Sequence, residues 1–130
     1  MATQRRILIV DDEADLAWML KLNLEKTKAY DVQIETDPAQ AVETARKFVP
    51  DLILLDFVLP KTSGGELAVQ IKMALAPKNP PIIFLTAALP QSNPDSKMRT
   101  MVGYRFLAKP VGLEHLLACI AAELQHSHQG

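Results

Sequence analysis

Five side chains stand where an apolar run gives way to polar sequence, and together they could do chemistry: Asp11, Asp12, Asp56, Thr86 and Lys109. A carboxylate ending a buried run is expensive unless it is paired, metal-bound or functional. Asp56 is therefore expected to act as a nucleophile or a metal ligand. If the three carboxylates meet in one crevice, they repel each other, and without a cation at least one would stay protonated. A hard divalent ion such as Mg²⁺, which takes oxygen ligands and keeps several waters, relieves that conflict. Lys109 adds a positive charge and Thr86 a hydroxyl donor. An acidic, Mg²⁺-loaded site flanked by lysine and threonine suits a phosphoryl group, whose transfer depends on positioning and charge neutralisation. Aspartate carboxylates attack phosphorus to give aspartyl phosphates. The residues alone thus point to Mg²⁺-assisted phosphoryl transfer onto Asp56.

The elements that must position these residues are legible in the hydrophobic pattern. Ile7-Leu8-Ile9-Val10, Leu52-Ile53-Leu54-Leu55 and Ile82-Ile83-Phe84-Leu85 are short unbroken apolar runs. Such runs mark strands buried on both faces. Val32 and Ile34 alternate with polar residues from Asp31 to Thr36, and Arg105 to Ala108 is brief; both predict edge strands. Between the strands lie helical stripes. Leu16, Met19, Leu20 and Leu24 form the first, and Ala41, Val42, Ala45 and Phe48 the second, after the Asp37-Pro38 helix start. Ser63 to Glu66 is a capping box opening a third helix with Leu67, Ile71, Ala74 and Leu75 inside. Asn93-Pro94 opens a short fourth with Met98, Met101 and Val102, which Gly103 can end. Leu113, Leu116, Leu117, Ile120 and Leu124 line a fifth, and residues 126–130 read as a polar, frayed tail. Trp18 falls outside the first stripe.

Strands alternating with helices give an α/β fold, a doubly wound five-stranded parallel sheet with five helices on two faces. Three continuous strands at the centre and two weaker ones at the edges fit the order 2-1-3-4-5. That order brings Asp11, Asp12 and Asp56 together at the carboxyl edge, with Thr86 and Lys109 on the other side of Asp56. Residues 1–125 make one domain, since a chain of 130 residues forms a single core.

Composition excludes several alternatives. Lys and Arg number 14 against 15 Asp and Glu, which argues against nucleic acid or an anionic membrane as the direct partner. No apolar run reaches the ~20 residues of a membrane span, and the polar start is no signal peptide. The single Cys119 excludes an internal disulfide and suits a reducing, cytoplasmic setting.

From Arg6 to about Leu124 the sequence resembles the response-regulator receiver domains of two-component signalling. The motifs that carry the likeness are Asp11-Asp12, Asp56 followed by Pro60 and Gly64, Thr86-Ala87, Gly103 and Lys109-Pro110. Each is weak alone; all in order, at the expected strand ends, are specific. The resemblance implies that Asp56 accepts a phosphoryl group from the phosphohistidine of a sensor histidine kinase or phosphotransfer protein. It implies that Asp12 and Asp56 bind Mg²⁺ directly and Asp11 largely through water, with the Val58 carbonyl as a further ligand. Lys109 would neutralise the phosphoryl oxygens, and Thr86 and the Ala87 amide would hydrogen-bond one of them. Phe106 matches an aromatic switch position, turning inward as Thr86 moves, and Lys109-Pro110 would be a cis peptide. The product is an altered surface for a downstream protein or output domain; the chain is a phosphoacceptor, not an enzyme acting on an outside substrate.

The sequence also departs from the family's pattern. Val58 and Ala88 are apolar where relatives often carry polar groups, so neither orients an attacking water, and slow self-dephosphorylation is expected. Phe106 lacks a hydroxyl, so a switch there works by packing, and a plain core aromatic is the competing reading. His115, His126 and His128 are expected to carry no role. A phosphorylation-independent scaffold of the same shape is the main alternative; the intact set of acids, Thr86 and Lys109 argues against it. A flavin-binding protein of this topology would need a phosphate loop where Asp11-Asp12-Glu13 stands. A haloacid-type phosphatase would need an acid where Val58 stands.

Overall fold

In a computed structural model, residues 4–87 and 104–125 are described in full, and residues 126–129 by their backbone. Five parallel strands form the main sheet: β1 (Arg5–Val10), β2 (Tyr30–Glu35), β3 (Leu52–Asp56), β6 (Ile82–Thr86) and β7 (Arg105–Ala108), in the order β2-β1-β3-β6-β7. Counting only these five, the order is the expected 2-1-3-4-5. A two-stranded antiparallel hairpin, β4 (Val58–Leu59) and β5 (Thr62–Ser63), lies between β3 and the following helix. The loop of that hairpin holds Lys61 at a positive φ of 68°. The sequence carries no glycine or asparagine there to announce the turn.

Four α-helices occur among the described residues: α1 (Ala14–Glu25), α2 (Ala41–Phe48), α3 (Gly64–Leu75) and α4 (Leu113–Gln129). The helix expected after Asn93-Pro94, with Met98, Met101, Val102 and Gly103, and the position Ala88, lie outside the described residues. The backbone of the expected tail continues α4 as far as Gln129.

The two cores follow from strand parity, because successive side chains point to opposite faces. Ile7, Ile9, Leu52, Leu54, Ile83, Leu85 and Leu107 face α1 and α4, meeting Leu20, Leu24, Leu116, Ile120 and Leu124. Leu8, Val10, Ile53, Leu55, Ile82, Phe84 and Phe106 face α2 and α3, meeting Ala41, Ala45, Leu67, Ala68 and Ile71. In α1 the inward stripe differs from the expected one: Met19 is half exposed, and Ala17 is fully buried in its place. The pattern Leu16, Met19, Leu20, Leu22, Leu24 is compatible with more than one stripe, and a small alanine contributes little to any hydrophobicity reading while fitting closest to the sheet.

Two side-chain caps form, at Asp37 and Ser63, while the N-caps of α1 and α2, Glu13 and Gln40, make no side-chain cap bond. Asp37 accepts from the Ala39 amide at 3.0 Å, opening the 3₁₀ turn Pro38–Gln40 ahead of α2. Ser63 Oγ accepts from the Glu66 amide at 3.1 Å. On the open edge of β2, α1 supplies its own partners. Lys21 Nζ donates to the Val32 carbonyl at 2.7 Å, and Glu25 accepts from the Val32 amide at 3.2 Å. That pair blunts the edge against strand addition.

Candidate functional site

The strand order places the ends of β1, β3, β6 and β7 side by side, so residues far apart in sequence converge at one carboxyl edge. Asp56 closes β3, where every residue is buried, and the Phe57 amide continues the ladder by donating to the Leu85 carbonyl at 2.9 Å. Asp11 follows β1 and remains buried; its amide donates to the Glu35 carbonyl at 3.1 Å. Its Oδ1 accepts from the Glu13 amide at 2.9 Å. Carboxylate oxygens of Asp11, Asp12 and Asp56 all lie within 4.8 Å of one another. Asp12 is the exposed member of the three.

Lys109, just past β7, is the cation of this group. Its Nζ lies 2.8 Å from Asp11 Oδ2, 2.8 Å from Glu13 Oε1 and 3.2 Å from Asp56 Oδ2, with its side chain only 9% exposed. Its amide donates to the Thr86 carbonyl at 2.9 Å, which ties the ends of β6 and β7 together. The peptide between Lys109 and Pro110 is cis, as the resemblance implies.

Electrostatics follow from burial and these contacts. Burial pushes the Asp56 carboxyl above its ordinary value; the Val58 amide, donating to Oδ1 at 3.1 Å, pulls it down, the neighbouring Asp11 pushes it up again, and Lys109 opposes both pushes. The net direction is up. Burial alone would lower Lys109, but the carboxylates of Asp11, Glu13 and Asp56 outweigh it and hold the ammonium well above its usual range. Asp11 Oδ2 is buried and, although close to Lys109, receives no directed hydrogen bond; the contact is an ion pair without the angle of a donor bond. A buried oxygen left so, with two more carboxylates within reach, is the donor set a hard divalent cation takes. The residues present therefore fit Mg²⁺.

The backbone holds Asp56 in place through Gly64. A Cβ added to Gly64 would stand 2.6 Å from the Asp56 carbonyl oxygen and 2.7 Å from Phe57 Cα, and the Gly64 amide donates to the Phe57 carbonyl at 2.8 Å. Only a residue without a side chain lets α3 start so close behind the aspartate.

The remaining expected residues fall as follows. Thr86 is fully buried at the end of β6, and Ala87 is exposed just beyond it. Val58 is exposed beside Asp56. Phe106 is already inward: its ring stacks on Phe84 at 4.9 Å and meets Phe57 edge-on at 5.1 Å, with Tyr104 against Phe84 at 5.1 Å. Trp18 is half exposed on α1 and lines an open groove with Lys21 and residues 31–34 of β2. His115 is exposed, its Nε2 3.9 Å from Cys119 Sγ, while the side chains of His126 and His128 lie outside the described residues. Sequence reasoning did not single out Glu13 beyond the head of a helix, and nothing local in the sequence signals a contact with Lys109 across 96 positions.

Comparison with known proteins decides what this edge belongs to. Residues 7–121 match the family model of the response regulator receiver domain. The chain belongs to the response-regulator receiver family. The receiver domain is 38% identical over 126 residues to the response regulator ArlR of Staphylococcus saprophyticus, covering 95% of this chain and 54% of that protein. It is 40% identical over 129 residues to the phosphate regulon transcriptional regulatory protein PhoB of Pseudomonas aeruginosa, covering 97% of this chain and 54% of that protein. The chain thus spans about half the length of these curated relatives. Among solved structures, a CheY-like response regulator receiver domain from Methanospirillum hungatei superposes with a TM-score of 0.81 at 27% identity, covering 98% of each chain. The sheet order and the doubly wound α/β architecture are those of a receiver domain. No helix among the described residues is long and apolar enough to cross a membrane.

Proposed function

We propose that Asp56 of this receiver domain accepts a phosphoryl group from the phosphohistidine of a sensor histidine kinase or a phosphotransfer protein. The bond from phosphorus to the histidine nitrogen breaks as one to an Asp56 carboxylate oxygen forms, and the histidine, protonated on its other ring nitrogen, leaves as neutral imidazole. The observation that carries this reading is the placement of a buried Asp56 carboxylate within 3.2 Å of Lys109, beside the acids of β1. Asp11, Asp12 and Asp56 would hold Mg²⁺, with the Val58 carbonyl as a further ligand. When bound, Mg²⁺ supplies charge neutralisation for the incoming phosphoryl oxygens. Lys109 adds a second positive charge, reaching from the end of β7 to Asp56 and to the acids after β1. Thr86 and the Ala87 amide would donate to a phosphoryl oxygen.

Thr86 then reports the change. Its carbonyl already accepts from Lys109 and its strand is paired with β7, so a shift at Thr86 reaches Phe106 through the β6–β7 ladder. Because Phe106 is already packed on Phe57 and Phe84, the switch would act by repacking this cluster. The altered face would be read by a downstream protein or an output domain in the cytoplasm. With a net charge of −1 the receiver domain has no electrostatic pull on nucleic acid of its own. Self-phosphorylation from small phosphodonors and slow self-dephosphorylation complete the reading; Val58, exposed and apolar beside Asp56, cannot orient a hydrolytic water.

The test is incubation with Mg²⁺ and a small phosphodonor, followed by intact mass. One added phosphoryl group is expected, absent without Mg²⁺ and absent in Asp56→Asn. No mass gain in the native chain would leave the phosphorylation-independent scaffold as the better reading, and an equal gain in Asp56→Asn would overturn Asp56 as the acceptor.

A further inference from the structure

Lys109 has three N–H donors and three carboxylates around it, but the three partners are not alike. Asp11 and Asp56 are buried and belong to the acidic group that fits a cation; Glu13 is 61% exposed and lies outside that group. Glu13 occupies the N-cap position of α1 yet makes no side-chain cap bond. A carboxylate at that position would ordinarily serve the helix amides. Its Oε1 instead accepts from Lys109 at 2.8 Å, while its own amide is tied to Asp11 Oδ1 at 2.9 Å.

We propose that Glu13 is a positioning residue for cation loading: the counter-ion that keeps Lys109 paired when a divalent cation claims Asp11 and Asp56. This inference rests on the reading that Asp11, Asp12 and Asp56 hold Mg²⁺. Lys109 and a cation compete for the same two buried carboxylates. An ammonium with so little exposure is costly to leave unpaired. With Glu13 present, Lys109 gives up two partners and retains a third, which is exposed and free to follow it. Without that third partner, loading the cation strands the lysine.

The experiment is Mg²⁺ titration by calorimetry of the native chain, Glu13→Gln and Glu13→Asp, together with the side-chain ¹⁵N resonance of Lys109. Glu13→Asp keeps the charge but is one methylene too short for the contact. Both variants are expected to bind Mg²⁺ about three-fold more weakly, the scale of an exposed ion pair. The Lys109 ammonium signal, visible when an ion pair protects it from exchange, persists at saturating Mg²⁺ in the native chain and disappears in Mg²⁺-saturated Glu13→Asp. Native affinity in Glu13→Asp, whatever Glu13→Gln does, would show that the direct contact with Lys109 is not needed and overturn the proposal. Loss of the Lys109 signal in the Mg²⁺-saturated native chain would overturn it equally. A native chain that binds no Mg²⁺ removes the metal reading itself, and the proposal with it, a result distinct from the other two.

Discussion

Replacing Lys109 by methionine removes the one cation within ion-pair distance of Asp11 and Asp56 among the described residues, while keeping most of the side chain's length. Asp11 is 1% exposed and the Asp56 side chain 7%, so the two carboxylates are left with neither a partner nor much water. Breaking a buried pair by removing one member costs about 3–5 kcal/mol. Loss of the exposed Glu13 contact adds little to that. Taking about 3 kcal/mol, and an unfolding entropy of about 2.1 cal/mol/K per residue over 130 residues, the melting temperature should fall by about 10 °C at neutral pH. The deficit should also carry a signature. The Asp56 carboxyl is already held above its ordinary value, first by burial, and without Lys109 it rises further. A carboxyl whose folded value is raised weakens the fold when ionised, and that penalty is relieved as the pH falls through the folded value. The gap between variant and native chain should therefore narrow on acidification, and Mg²⁺ should raise the variant's melting temperature more than the native one. Calorimetric melts across pH, with and without Mg²⁺, check this. A variant as stable as the native chain at neutral pH refutes the reasoning. A deficit that ignores both pH and Mg²⁺ would trace instead to lost packing of the lysine stem.

Other substitutions probe the rest of the account. Gly64→Ala should lose about 1–3 kcal/mol by overpacking and abolish phosphorylation by displacing the Asp56 backbone. Gly65→Ala, whose Cβ would meet nothing nearer than 3.8 Å, should melt at or above the native temperature. At Asp51, burial pushes the carboxyl up, but the Arg6 amide at 2.7 Å and Lys78 at 3.2 Å outweigh it and hold it below its ordinary value. Its stabilisation is thus present above the unfolded value and lost as the pH falls through the folded one. Asp51→Asn should cost about 1 kcal/mol at neutral pH, with melting curves that merge with the native ones in acid. Val58→Asn should hasten decay of the aspartyl phosphate; an unchanged lifetime would count against the apolar residue as the cause of slow hydrolysis.

The contrast between what could and could not be read in the sequence has a physical basis. β1, β3 and β6 were legible because a strand covered on both faces must be apolar at every position, and Ile7 to Val10, Leu52 to Leu55 and Ile82 to Leu85 are fully or almost fully buried. The edges were legible for the opposite reason: Asp31 and Gln33 alternate with Val32 where one face of β2 stays wet. Once order was set, Asp11, Asp56, Thr86 and Lys109 had to share the carboxyl edge. What escaped was set by tertiary contacts without a local code. Ala17 displaces Met19 from the sheet because a close approach favours a small side chain, which hydrophobicity undervalues. The β4–β5 hairpin turns on Lys61 at positive φ, a conformation its residue type does not advertise. Glu13 read as an acid suited to the helix dipole, whereas its carboxylate reaches a lysine on the far edge of the sheet. The interlocked rings of Phe57, Phe84, Phe106 and Tyr104 come from three separate segments, so their meeting is visible only in three dimensions.

The central claim is that Asp56 is the residue that carries the phosphoryl group. Fragmenting the chain after phosphorylation by a small phosphodonor with Mg²⁺, and locating the added mass by peptide sequencing, tests it directly. The mass is predicted on Asp56, with hydroxylamine removing it as expected of an acyl phosphate. A phosphoryl group found on Asp11, Asp12 or a histidine would contradict the account.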